Sequence, residues 1–204
     1  MTVIVLPKMP FDTVYKPRPL QFGVDQTPDG GGRSDRILRP GDRWVLEVVP
    51  PKLDYVCAMG LLADLRAAAG GTVRLRWPQP GLTVPRKRPD VRVQGASQVG
   101  TQLSVNGGFR NMALRKGQFI SLMPEVVPGR VQRFLHQLRA EVRFDAAGEA
   151  DLALCEMLRF PMPDNAPIEV FEPEIEGTLA LGGTPYDLGV LDDVDLSFTI
   201  TERQ

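Results

Sequence analysis

The side chains able to do chemistry are few and scattered. One histidine, His136, sits in the run RFLHQLR, and two cysteines, Cys57 and Cys155, lie far apart in the chain. A zinc site needs several Cys or His ligands at close spacing, so these three residues compose none. A lone histidine among apolar neighbours reads as a strand or core residue, not as a general base. Ser97 lies in GASQVG, which lacks the G-x-S-x-G spacing of a nucleophile elbow, and nothing places His136 beside a serine. Glu172, Glu174 and Glu176 fall on one face of a strand. Glycoside hydrolysis needs two carboxylates facing each other across a cleft, whereas a run on one face is more simply a solvated acidic surface. The basic run Arg86-Lys87-Arg88 has no interleaved aromatics, so a solubilising connector or a salt-bridge site between subunits fits it better than a nucleic-acid contact. The segment PDGGGRSDR, Pro28–Arg36, lacks the preceding strand, the Gly-Lys-Ser/Thr ending and the following helix of a phosphate-binding loop. These residues offer no active site, and no catalytic, metal-binding or cofactor-binding residue is assigned.

Composition points the same way. The chain has 204 residues, 43% hydrophobic and 24% charged, with a net charge of -1. That is enough for one domain with a smaller one attached, and it provides no basic field to recruit nucleic acid. Nineteen prolines and 20 glycines favour many short strands over long helices. No apolar run reaches the roughly 18–20 residues of a membrane span, and the N-terminus lacks the basic start of a signal peptide, so a soluble protein is expected. Two cysteines among apolar neighbours read as buried free thiols, with a disulfide as the alternative.

The elements that would position these residues are mostly strands. Thr2–Leu6 is a short apolar strand, followed by an irregular proline-rich arm over 7–40. Trp44–Val49 reads as a strand stopped by Pro50-Pro51. Asp54 then stands as an N-cap before a helix reaching Ala69, with Tyr55, Ala58, Met59, Leu62 and Leu65 at helical spacing on one apolar face. Gly70-Gly71 ends it. Thr72–Trp77 alternates, with Val73, Leu75 and Trp77 on one side and Arg74 and Arg76 on the other. After a basic, proline-rich connector over Pro78–Asp90, the stretch Val93–Leu122 is rich in Gly, Gln and small residues and reads as closely approaching strands with tight turns. Residues 138–144 and 149–154 read as a hairpin around the turn Asp145–Gly148. Ile168–Ile175 and Asp193–Thr201 alternate as strands, the latter with Val194, Leu196, Phe198 and Ile200 on one face. The fold class is mainly β with one α-helix.

The order of these pieces resembles a family of tail proteins from phages with long, non-contractile tails: the siphophage distal tail (Dit-like) and minor tail proteins. The resemblance rests on Trp44 with Pro50-Pro51, the helix Asp54–Ala69 and the strand Gly71–Trp77. It continues through VQGASQVG at Val93–Gly100, KGQFISL at Lys116–Leu122 and FLHQL at Phe134–Leu138. FDAAGEADLAL at Phe144–Leu154, MLRFP at Met157–Pro161 and LSFTITE at Leu196–Glu202 complete it. It covers roughly residues 42–202, and it departs from the pattern at Gln118, where the family usually has Asp, and over 7–40.

The resemblance implies a structural, non-enzymatic virion protein of the phage tail tip. It implies a homo-oligomeric ring, hexameric in the family, that joins the tail tube protein to the baseplate hub protein and lets DNA pass without specific binding. It further implies a tail-tube-like β-sandwich flanked by a helix, formed by 1–82 and 159–204, with an inserted small OB- or SH3-like β-barrel over 83–158. On that layout Glu172, Glu174 and Glu176, or Asp192, Asp193 and Asp195, are candidates to line the lumen, where acidic charge repels phosphate. The helix bearing Tyr55, Met59, Leu62 and Leu65 is the candidate assembly element, and 7–40 a candidate assembly arm. Two rivals are a receptor- or glycan-binding module, for which residues 83–158 offer phenylalanines but no Trp or Tyr, and a cell-wall hydrolase, for which no catalytic set is in view.

Overall fold

In a computed structural model of the chain, the described residues are 3–26, 31–32, 35–37, 39–180, 187–188 and 193–203. Along the chain the strands are β1 (Val3–Val5), β2 (Val14–Leu20), β3 (Val24–Gln26), β4 (Asp35–Ile37), β5 (Arg43–Val49) and β6 (Leu53–Asp54). The helix α1 (Tyr55–Ala67) follows, then β7 (Thr72–Arg76), β8 (Arg92–Val93), β9 (Gln102–Asn106), β10 (Ala113–Leu114) and β11 (Phe119–Leu122). Next come β12 (Glu125–Val127), β13 (Arg130–Val131), β14 (Phe134–Gln137), β15 (Val142–Arg143) and β16 (Ala150–Ala153). The last are β17 (Ile168–Glu169), β18 (Glu174–Ala180), β19 (Asp187–Leu188), β20 (Asp193–Asp195) and β21 (Phe198–Glu202). The fold is mainly β with one helix and several sheets. The chain divides into two compact units.

The first unit comprises Met1–Pro19, Trp44–Pro78 and Glu174–Arg203. Its main sheet runs β1-β7-β18-β21-β5-β2. β1 lies parallel to β7, while the β7–β18, β18–β21 and β21–β5 pairs are antiparallel. Alternation sorts the faces: Val73, Leu75, Ile175, Ile200 and Leu46 are buried on one, with Trp44 and Trp77 meeting edge to face at 5.7 Å. β2 sits at the sheet's edge, where Pro17 and Pro19 cost no ladder bond because an edge strand has neighbours on one side only. Part of the segment expected to be irregular, 7–40, is therefore built into a sheet.

The helix begins where expected. Asp54 Oδ2 accepts the Val56 N–H at 3.1 Å, satisfying one of the free donors of the first turn. At the other end Gly71 donates to the Ala68 carbonyl at 2.8 Å, past Gly70 in the left-handed region. The buried face is Ala58, Leu61, Leu65 and Ala68, which keeps Ala58 and Leu65 of the expected stripe but not its other three residues. Tyr55 and Met59 are exposed and Leu62 is half-buried. Apolar residues occur nearly all round this helix, so spacing alone permits two stripes. The one with small alanines at both ends faces inward, where they allow close approach.

The second unit comprises Leu20–Arg43 and Gln79–Pro173, with Gln204. Its sheets are short: β16-β9-β8, β14-β11-β17, β10-β15, β12-β13 and β3-β4. A single cluster including Leu103, Leu114, Ile120, Leu138, Phe144 and Leu152 lies at its centre. The unit is wider than 83–158. Leu158, Met162, Ile168 and Val170 bury into the same cluster, and β17 pairs with β11, so 159–173 belongs here. The turn at Asp145 forms, with Asp145 donating to Glu149 O at 3.0 Å. Its flanks meet as the expected hairpin at the far end, where Leu138 bridges Leu154 antiparallel and Arg139 donates to the Ala153 carbonyl at 2.8 Å. Between there and the turn, β15 pairs with β10 and β16 with β9, and Ala140 is exposed.

Candidate functional site

Glu172, Glu174 and Glu176 are not carried on one strand. Glu172 precedes Pro173 in the second unit and pairs with Arg88, whereas Glu174 begins β18 in the first. Glu174 and Glu176 do share a strand face, but β7 lies antiparallel beside it in the register Glu174↔Arg76 and Glu176↔Arg74. Arg74 Nη2 reaches Glu176 Oε2 at 2.9 Å, and its Nε lies 3.6 Å from Glu174. Glu176 has no exposed surface. It cannot line a lumen, because its charge is enclosed and spent on a guanidinium. The alternation read as an acidic surface is half of a mixed-charge ladder.

Asp195 is exposed and 3.8 Å from Lys52. Asp193 lies on β20 opposite Asp54, and Asp192 falls outside the described residues.

His136 is fully buried on β14, opposite Ile120. Its Nδ1 lies 3.8 Å from Glu156 Oε2, and that oxygen accepts the Gln137 N–H at 3.1 Å. Neither ring nitrogen has a hydrogen-bond partner among the described residues. The core-histidine reading holds. The cysteines do not match expectation: both are free, but both are exposed. Cys57 follows the helix's outward side, and Cys155 sits where alternation turns its side chain out between buried Leu154 and Glu156. Burial of part of Cys155 raises its thiol pKa, and the neighbouring Glu156 carboxylate adds to this against the opposing Arg139 and Lys116.

The residues that sequence reasoning passed over are the glutamines. Gln98 accepts the Ser104 N–H at 2.7 Å and donates to the Gln94 and Ser104 carbonyls at 2.7 and 3.1 Å. Gln79 accepts the Phe119 N–H at 2.8 Å and donates back to its carbonyl at 3.2 Å, as a paired strand would. Gln118 accepts from Arg115 N at 3.0 Å and donates to Val170 O at 2.6 Å. An amide carries both a donor and an acceptor, so it can substitute for a missing backbone partner where strands are too short to pair fully. Gln118 is where the family pattern has Asp, and an aspartate could not donate to Val170. The recurrence of Gln at positions 94, 98, 102 and 118 is the signal that could have pointed to them.

On the second unit an open cleft of about 500 Å³ is lined by Gln94, Ser104, Asp145, Glu149, Ala150 and Asp151. Each carboxylate meets neutral donors: Asp145 takes the Ala147 and Glu149 amides, Glu149 takes Gln94 Nε2 at 2.9 Å, and Asp151 takes Ser104 Oγ at 2.6 Å. No group of three or more potential ligands among the described residues is arranged to hold a metal ion. No aromatic ring lines the cleft, so it has no platform for stacking a sugar. No helix of the described residues is long and apolar enough to cross a membrane. The basic run is tied down locally, with Arg88 on Glu172 and 3.7 Å from Glu169, and Lys87 over the Phe109 ring.

No protein-family model matches this chain, and no curated protein matches it. The likeness to tail proteins therefore rests on the motifs quoted above.

Proposed function

We propose that this chain is a structural subunit of a phage tail tip that assembles with copies of itself into a ring, hexameric as in the proteins it resembles. The ring joins the tail tube protein to the baseplate hub protein and passes DNA without binding it specifically. It acts in the virion tail and carries out no catalysis. The observation that carries this reading is the outward side of α1. Tyr55 and Val56 in the first turn and Met59 in the next are 42%, 69% and 44% exposed, beside half-buried Leu62. A contiguous apolar stripe on a helix otherwise anchored by Ala58, Leu61 and Leu65 is the kind of surface that a neighbouring subunit covers. A closed ring also removes the exposed sheet edges that a free β protein must otherwise protect.

The lumen cannot depend on the whole acidic set, since Glu176 is enclosed and Glu172 and Glu174 are ion-paired. Asp195 remains a candidate, and a net charge of -1 already gives phosphate little to bind. Negative-stain imaging of the purified chain tests the reading. Rings with an open centre are expected, and particles of single-chain size at every concentration would refute it.

A further inference from the structure

The hairpin β12–β13 is joined by no third strand among the described residues. It is a two-stranded sheet whose register shifts between Glu125 and Val127, and such hairpins are marginal in water without a surface to pack on. Yet it displays apolar side chains: Val126, Val127 and Val131 are 45%, 54% and 47% exposed. Valines on a solvated hairpin stabilise nothing until something covers them. Its one acid is already used, since Glu125 Oε1 accepts the Gly129 N–H at the turn. Two nitrogens of Arg130, Nε and Nη2, are shut off from solvent and make no hydrogen bond among the described residues. A guanidinium held this way is costly, so the side chain gains by moving onto any carboxylate offered to it.

The same unit presents the complement. The cleft between Gln94 and Asp151 is rimmed by Asp145, Glu149 and Asp151, whose partners are amides and a hydroxyl, with no cation among the described residues. Hairpin and cleft belong to different sheets of one unit. Each lacks the charge the other carries.

We infer that the β12–β13 hairpin is an assembly arm that seats on a second copy of this chain, covering its valines there and pairing Arg130 with the carboxylates of that copy's Gln94–Asp151 cleft. The contact joins two different patches, so it repeats head to tail and closes into a ring when the rotation allows. It rests on the reading of the chain as a self-assembling ring, and it names one of the surfaces involved.

The test uses full-length chain with Cys57→Ser and Cys155→Ser, prepared as two single-cysteine proteins, one with Val127→Cys and one with Ala150→Cys. Under mild oxidation the mixture is expected to give a disulfide-linked dimer, and each protein alone to stay unlinked. In the otherwise unaltered chain, Arg130→Glu is expected to weaken self-association by roughly tenfold or more, and adding Asp151→Arg to recover most of it. Circular dichroism and melting of every variant confirm folding. An unlinked mixture of proteins that still self-associate would overturn this interface while leaving the ring standing. Linkage of the Val127→Cys protein with itself would overturn the head-to-tail geometry. An unaltered chain that never self-associates would overturn both the interface and the ring.

Discussion

Glycines 107 and 108 show what single residues contribute to the bland stretch after the connector. Gly107 has φ +82°, and a Cβ there would lie 2.0 Å from the Asp90 carbonyl oxygen. A Cβ on Gly108 would fall within 2.1 Å of the buried Phe144 ring. Gly107→Ala should therefore lower stability by about 2 kcal/mol or more, from the left-handed backbone and the clash with main chain together, read as a fall in melting temperature. His136→Phe should leave stability unchanged or raise it, because the imidazole makes no hydrogen bond that the ring would forfeit. Cys155 gives a pH prediction. Its raised pKa means less thiolate than an ordinary thiol has at any pH below its own midpoint, so alkylation at pH 7–8 should be slower than for a small free thiol. The difference should close as pH rises past that midpoint, as measured by mass spectrometry after iodoacetamide pulses. Tight turns and a core histidine were legible in the sequence at this scale. The glutamine bridges were not, because which carbonyl an amide meets depends on strands brought together from far along the chain.

Among the elements, the β7–β18 pair shows how a sequence pattern can be read correctly and interpreted wrongly. Arg74-x-Arg76 and Glu174-x-Glu176 each alternate with apolar residues, and each alone resembles a solvated strand face. Paired antiparallel they cancel, and Glu176 is enclosed. Matching the two charge patterns would have found the pairing; reading each strand alone could not. Glu176→Ala should cost about 2 kcal/mol, the loss of a charged hydrogen bond with Arg74 left beside Glu174, measured by denaturant unfolding. The helix gave its start and end in sequence because Asp54 and Gly70-Gly71 are local signals. Its orientation was not local. With apolar residues nearly all round, only the surface beneath it decides that Leu61 faces in and Tyr55 out.

For the molecule as a whole, the mainly β class with one helix followed from frequent proline and glycine punctuation and from alternating runs. The composition changes at Pro78, where one segment of the first unit ends, but the second unit also takes Leu20–Arg43, which the sequence reading placed with the first, and on the far side it runs on to Pro173. There Leu158, Met162 and Ile168 join a core whose other members reach back to Val91, which no local pattern announces. Assembly is the claim that depends most on this scale. The apolar side of α1 is exposed in a single chain, so replacing both Tyr55 and Met59 with Glu should shift the chain toward monomer while leaving its melting temperature nearly unchanged. The most direct test of the central claim is the mass of the full-length chain by light scattering across a wide concentration range. A discrete mass several times that of one chain, lowered by the Tyr55→Glu/Met59→Glu change, is the predicted result. A single-chain mass at all concentrations, or one that drifts upward without a plateau, would contradict it.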